Sequence, residues 1–239
     1  MDTELRRATS KAGRGEATPP KAELIRRAIV DAILEHRLAP GTKLGEDEIG
    51  SLWGVSRTIV RSVLQRLAHD GIVEIEKNRG AFVSQPSVTD AQEVFDARQL
   101  IEARTTALAA ERRPADGIRR LGENLTAEAR AVAAGDAPTA IRLSGEFHLE
   151  LARMAGHRTY ENFLRELVAR SSLIILLYRR HQMPICSADH HAELVEAVAS
   201  GRSAAAVSLM RHHLDELRAE LDLEEPRGAP RSLAEILRE

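Results

Sequence analysis

The chain has 239 residues, enough for two modest domains that each bury a core, and a formal net charge of −2, so no global basicity points to nucleic acid. Aromatic residues make up only 3%, which argues against single-strand binding by base stacking. A single cysteine, Cys186, excludes an internal disulfide and fits a reducing compartment. The polar N-terminus lacks the apolar core of a signal peptide, and the longest apolar run, Leu173 to Leu177, is too short to span a bilayer. The expectation is a cytoplasmic protein.

Charge is local instead. Arg6, Arg7, Lys11, Arg14, Lys21, Arg26, Arg27, Arg57, Arg61 and Arg66 gather in the N-terminal part, and acidic residues are frequent from Asp90 onward. Averaging therefore hides a basic module. Residues 1–20 mix charges with Gly, Thr and Pro19-Pro20 without periodicity and read as a disordered arm. Residues 21–85 follow as a first domain, which begins with an amphipathic helix carrying Leu24, Ile25, Ala28, Ile29, Ala32 and Ile33.

From Glu46 to Arg66 the pattern is two short helices joined at Trp53-Gly54-Val55-Ser56. In the second, Val60, Val63, Leu64 and Leu67 form one apolar stripe, leaving Arg57, Thr58, Arg61, Ser62 and Gln65 outward. Gly54 supplies a tight stop, and Ser56 is placed to cap the second helix by accepting a bond from an early backbone N–H. Such an exposed basic helix end suits the DNA major groove, where an arginine fork bonds guanine O6 and N7. Ile72-Val73-Glu74-Ile75 alternates as a short strand, Lys77-Asn78-Arg79-Gly80 is turn chemistry, and Ala81-Phe82-Val83 begins a second strand. This predicts a two-stranded wing that presents Lys77 and Arg79 to a phosphate backbone or minor groove.

From residue 86 to 222 the pattern is helical, with breaks near Pro114, Gly135 to Pro138, Gly156, Pro184 and Gly201. Six helices are predicted, over 88–112, 115–134, 137–155, 158–182, 187–200 and 202–222, packed as a bundle. Residues 223–239, with Pro226, Gly228 and Pro230, read as a loose tail. The predicted fold is mainly α: an N-terminal winged helix-turn-helix and a C-terminal antiparallel bundle.

The segment PGTKLGEDEIGSLWGVSRTIVRSVLQRLAHDGIVEIEKNRGAFV resembles the winged helix-turn-helix of GntR transcription regulators. The helical remainder resembles the ligand-sensing, FCD-type domain of their FadR-like branch, and together the likeness spans about 22–222. The resemblance implies DNA contacts by Arg57, Thr58 and Arg61 and a wing tip shaped by Gly80. With the residues read directly, the expected DNA-binding set is Ser56, Arg57, Thr58, Arg61, Gln65, Lys77, Arg79 and Gly80. Many family members carry proline where this chain has Ile59, glutamate where it has Ser62, and some a basic residue at Asp47, so operator sequence does not transfer.

In the resembling sensor domain a common metal site uses an aspartate and a histidine one turn apart and two more histidines on the last two helices. His148, His191 and His213 match the histidines, while Ser144 stands at the aspartate position; Glu146, at i+2 from it, points elsewhere. Three readings stay open. Three imidazoles still hold Zn or Ni, with affinity lowered by the lost carboxylate; or the cluster binds an anionic effector directly; or three inward histidines are satisfied by hydrogen bonds. Arg98 and Glu102, one turn apart in DARQLIE, match the family pattern and are expected at the effector pocket, against an ordinary surface ion pair as the bland alternative. Tyr178 and Cys186 are further cavity candidates, though such lone residues usually just pack, and His157 reads as a helix-junction residue.

The expected partners are double-stranded operator DNA, read as a pseudopalindrome by a homodimer, and a small organic acid, with no membrane. The expected function is a ligand-responsive transcription regulator, more a repressor than an activator. The rival is a metal-dependent hydrolase that uses the three histidines. No HExxH, GxSxG, Walker or paired CxxC motif supports it, and an enzyme is not expected.

Overall fold

The computed structural model of the chain describes residues 20–34, 37–179 and 187–223. The expected arm and tail, and Cys186, lie outside these residues except at Pro20 and Leu223. Within them the chain is mainly helical. Helix α1 (Lys21–Leu34) buries Ile25, Ile29, Ala32 and Ile33, the stripe that its 3.6-residue period predicts.

Strand β1 (Lys43–Leu44) precedes the helix pair α2 (Glu46–Trp53) and α3 (Arg57–His69), and strands β2 (Val73–Glu76) and β3 (Gly80–Val83) make the wing. The wing is a three-stranded antiparallel sheet in the order β1-β3-β2, not the two-stranded ribbon expected. β1 escaped sequence reading because two residues, Lys43 opposite Phe82 and Leu44 opposite Ala81, are too few to show alternation. Val73 is buried but Ile75, on the same face, is 52% exposed, since the ribbon runs past the core toward its tip. At that tip Asn78 and Gly80 take positive φ, 65° and 107°.

Six helices follow: α4 (Val88–Arg112), α5 (Ala115–Ala133), α6 (Ala137–Met154), α7 (Arg158–Tyr178), α8 (Ser187–Ala199) and α9 (Ser203–Ala219). Ser87 and Asp90 start α4 as a reciprocal capping box, and Asp136 and His157 cap α6 and α7. Helix α7 ends at Tyr178, short of the expected 182, because Arg179 turns extended and pairs with Leu221. The same pairing ends α9 before 222.

The two halves share a core. Ala169 and Leu173 of α7 are buried in the same cluster as Ile25, Val60, Leu64 and Leu67 of the winged helix. Arg170, between them, approaches Asp90 to 3.6 Å.

Candidate functional site

The exposed face of α3 is built as the apolar stripe requires. Val60, Val63, Leu64 and Leu67 are buried, while Ser56, Arg57, Thr58, Arg61, Ser62 and Gln65 are exposed. Gly54 closes α2 in the left-handed region (φ 58°, ψ 50°) and gives its N–H to the Gly50 carbonyl, a turn that a Cβ would strain. Ser56 has the extended backbone of an N-cap (φ −71°, ψ 154°), but its side chain makes no capping bond. The expected cap is corrected on that point: the hydroxyl stays free on the exposed end of the helix.

Both arginines are held by carboxylates of the preceding helix. Arg61 forms a fork with Glu46 at 2.9 and 2.7 Å, and Arg57 pairs with Asp47. These pairs are exposed, so water and phosphate compete with them on nearly equal terms. On the wing Lys77 and Gly80 are exposed, and Arg79 pairs with Glu76 and lies 5.3 Å from the Phe82 ring centroid.

The second constellation lies inside the bundle. His148 of α6, His191 of α8 and His213 of α9 are all buried and converge on one point. His213 Nε2 lies 3.3 Å from His191 Nε2 and 3.3 Å from His148 Nε2. Each outer imidazole backs onto a carboxylate: His191 Nδ1 lies 2.8 Å from Glu128 of α5, and His148 Nδ1 lies 2.5 Å from Glu102 of α4. The His148 contact is close but poorly aligned for a hydrogen bond, so charge and contact hold it more than direction does. Phe147 stacks on His191 with ring centroids 4.0 Å apart and fixes the plane of that ring.

Glu102 is no surface partner of Arg98. The two are 1% and 2% exposed, with Arg98 Nε 2.6 Å from Glu102 Oε1 and Nη1 3.0 Å from Ser171 Oγ on α7. Burial raises the Glu102 carboxyl, but Arg98 and then His148 outweigh it and bring it down to about 2. The bland surface-pair reading is thereby excluded. The remaining guanidinium nitrogen, Nη2, is buried without a hydrogen-bond partner among the described residues.

These positions decide what the cluster can hold. A hydrogen on His191 Nδ1 satisfies its bond to Glu128, and the Glu102 carboxylate beside His148 Nδ1 favours a hydrogen there too, an assignment that leaves Nε2 lone pairs on both rings. Burial, and then His191 and His148, push His213 well below its ordinary value, so its ring is neutral. His213 Nε2 carries at most one hydrogen and faces two lone pairs, a deficit that a cation resolves. A Zn–N bond of about 2.0–2.1 Å sets tetrahedral ligand atoms about 3.3–3.4 Å apart, close to both observed separations. The buried trio can coordinate a metal.

A cavity opens beside the trio, lined by Arg98, Ser144, His148, Ser172, His190 and His213 among others. Ser144 sits on its wall, where the expected aspartate would stand. Ser172 Oγ is buried without a hydrogen-bond partner among the described residues. Tyr178 is not on the wall: it gives its hydroxyl to the Pro86 carbonyl at 3.0 Å. His157 accepts from the Tyr160 N–H and stacks on that ring, a junction role.

Sequence reasoning missed Glu128 and the serines of α7. Glu128 was findable, because it stands seven residues after Leu121 on the apolar stripe of α5, where a carboxylate demands a buried partner. Ser171 and Ser172 carried no such mark.

Known proteins resemble the chain in both halves. Residues 21–83 match the family model for bacterial regulatory proteins of the gntR family, and residues 93–216 match that for the FCD domain. An uncharacterized HTH-type transcriptional regulator from an unstable DNA locus of Streptomyces ambofaciens is 33% identical over 190 residues, 76% of this chain and 77% of its own. The HTH-type transcriptional repressor RspR of Escherichia coli K12 is 25% identical, over 84% of this chain and 88% of its own. Among solved structures, a protein from Rhodococcus sp. RHA1 described as a transcriptional regulator GntR is 26% identical with a TM-score of 0.72, over 83% of this chain and 96% of that one.

Proposed function

Because the chain belongs to the GntR family of bacterial regulatory proteins and carries an FCD domain, we propose that it is a repressor of the FadR-like branch, released from DNA by a small organic acid. The family is one of regulators, not enzymes, and the helical half is its effector-binding domain. RspR, described as a repressor, supports the sign of regulation.

One observation carries the choice of effector: Arg98 lines the cavity beside the three imidazoles and keeps one buried guanidinium nitrogen without a hydrogen-bond partner among the described residues. A guanidinium N–H takes one carboxylate oxygen, and Ser172 offers a hydroxyl nearby. His148, His191 and His213 would hold a divalent ion, Zn or Ni, which supplies a Lewis-acidic anchor for the same carboxylate. Glu102 and Glu128 offset the charge that Ser144 does not, and with Arg98 they leave the shell one negative charge. A divalent ion then makes the site net positive and suited to a monoanion.

DNA reading rests on Ser56, Arg57, Thr58, Arg61 and Gln65 of α3, with Lys77, Arg79 and Gly80 on the wing. One recognition helix contacts few base pairs, so two half-sites read by a homodimer give useful discrimination over bulk DNA. The route between the sites is α7. Ser171 holds Arg98 and Ser172 lines the cavity, while Ala169 and Leu173 sit in the core of the winged helix. A ligand that draws on Arg98 shifts α7 against α1, the helix of the winged domain on which it packs, only if it binds the two arrangements with different affinity.

The two carboxylates that back the histidine trio are poor bases for the hydrolase rival. Glu102 is held ionised at about 2 between Arg98 and His148, far below the range for proton abstraction near neutral pH, and Glu128 is engaged by His191.

Titration of the purified protein on the promoter fragment beside its own gene tests the proposal, with small carboxylates added across a series. Sequence-specific binding relieved by one of them is expected, and Arg98→Gln should keep DNA binding while losing the relief. Binding that no carboxylate shifts, or that Arg98→Gln leaves fully responsive, overturns the effector assignment; absence of specific binding overturns the whole reading.

A further inference from the structure

The histidines of the last two helices come in adjacent pairs, His190-His191 on α8 and His212-His213 on α9. Successive residues on a helix point about 100° apart, so each pair splits. His191 and His213 turn inward to the buried trio, and their neighbours turn toward the rim of the cavity. There they meet Glu216, one turn after His212 on the same face of α9.

We propose that His190, His212 and Glu216 form a second divalent-metal site, separate from the buried trio, at the outer rim of the sensor cavity. Its cation is a borderline transition ion, Zn2+ or Ni2+. His190 Nδ1 lies 3.1 Å from Glu216 Oε2, and His212 Nε2 lies 3.2 Å from Glu216 Oε1. All three donor groups present an atom within 4.8 Å of the others. Metal–ligand bonds of about 2.0–2.2 Å place donor atoms roughly 3.0–3.6 Å apart, so little movement separates the observed contacts from a coordination shell.

Two imidazoles and one carboxylate select a borderline ion over Ca2+ or Mg2+, which take oxygen donors. The single carboxylate supplies the negative charge that the buried trio lacks among its own ligand atoms. The site is wet: His190, Glu216 and His212 side chains are 26%, 40% and 63% exposed. It therefore loads and empties more readily than the buried trio. His190 and Glu216 also line the cavity, so an ion there ties α8 to α9 across the rim and leaves open positions facing an entering ligand. The plain alternative is that the two histidines only hydrogen-bond Glu216 and clip the helices together.

Chelator-stripped full-length protein, titrated with ZnCl2 and followed by calorimetry and elemental analysis after desalting, separates these. The readout is the difference between wild type and His212→Ala, a substitution outside the cavity wall and the buried trio. One equivalent of metal per chain should be lost, or its affinity lowered by at least roughly tenfold. Glu216→Gln, which keeps the shape but not the charge, should remove the same equivalent. His191→Ala reads the buried trio independently and should leave the rim equivalent in place. If wild type and His212→Ala take up the same amount of Zn2+ with the same affinity, the rim site does not exist, whatever the trio does. Loss of the equivalent in His212→Ala with no effect of His191→Ala would instead sustain the rim site and count against metal at the trio.

Discussion

Glu102→Gln should destabilise this protein far more than an exchange of one polar residue for another of equal size normally does. The side chain is 1% exposed and holds two partners, the equally buried guanidinium of Arg98 at 2.6 Å and the imidazole of His148 at 2.5 Å. Folding lowers its carboxyl from 4.5 to about 2, which corresponds to about 3 kcal/mol of stabilisation of the ionised form. Removing one member of a buried pair costs about 3–5 kcal/mol by a separate line of reasoning, since the other charge stays behind without compensation. For a chain of this size the two figures translate to a fall of roughly 6–20 °C in unfolding temperature. Calorimetry on chelator-stripped protein measures it free of any metal contribution. The double variant Arg98→Met with Glu102→Leu replaces the pair by apolar volume and should recover most of the loss. A Glu102→Gln protein that unfolds within about 2 °C of wild type, or a double variant no better than the single, would refute the buried-pair reasoning.

At the DNA face, Arg57→Ala and Arg61→Ala should each weaken operator binding roughly 5- to 100-fold if they contact bases, and lower the salt slope by about 1 if they contact phosphate; gel-shift titrations at several salt concentrations distinguish these. Glu46→Gln frees Arg61 from its fork and should raise DNA affinity, above all at low salt, in the same titration. Stripping metal should lower the unfolding temperature of wild type, with about 2.7 kcal/mol at stake per site at a free metal concentration of 100 Kd, and His191→Ala should reduce that response to the part held at the rim. Leu173→Ala, at a fully buried position, should cost about 2–5 kcal/mol and blunt the coupling of effector to DNA release, read as a smaller change in operator affinity on adding effector.

Much of this architecture is written in periodicity. The stripe Val60, Val63, Leu64, Leu67 fixes which side of α3 is buried, and thus which residues are left exposed. Breaks at Pro114, Gly135, Gly156 and Gly201 mark bundle helices to within a few residues. What stays hidden depends on contacts between distant segments. β1 exists only because Lys43 and Leu44 find β3, and α7 stops only because Arg179 finds Leu221. The three histidines stand out through their place in a resembling pattern, but the carboxylates behind His148 and His191, Glu102 and Glu128, lie on other helices. Arg98 and Glu102 show their i, i+4 spacing in sequence; their burial, which sets the pair apart from an ordinary surface ion pair, does not show.

The sharing of α7 limits how such regulators can be recombined. Ala169 and Leu173 join the hydrophobic cluster of the winged helix from positions 86 and 90 residues downstream of the end of its last strand at Val83. A reading head cut off after Val83 would lose Ala169 and Leu173 from its hydrophobic cluster and bare the side of α1 that packs on α7, and is expected to be soluble only poorly. Chimeras that graft a new head onto this sensor will need a matched patch on α7 as well. On the proposed route through α7, exchanging the head alone would change the linkage to the sensor along with the address.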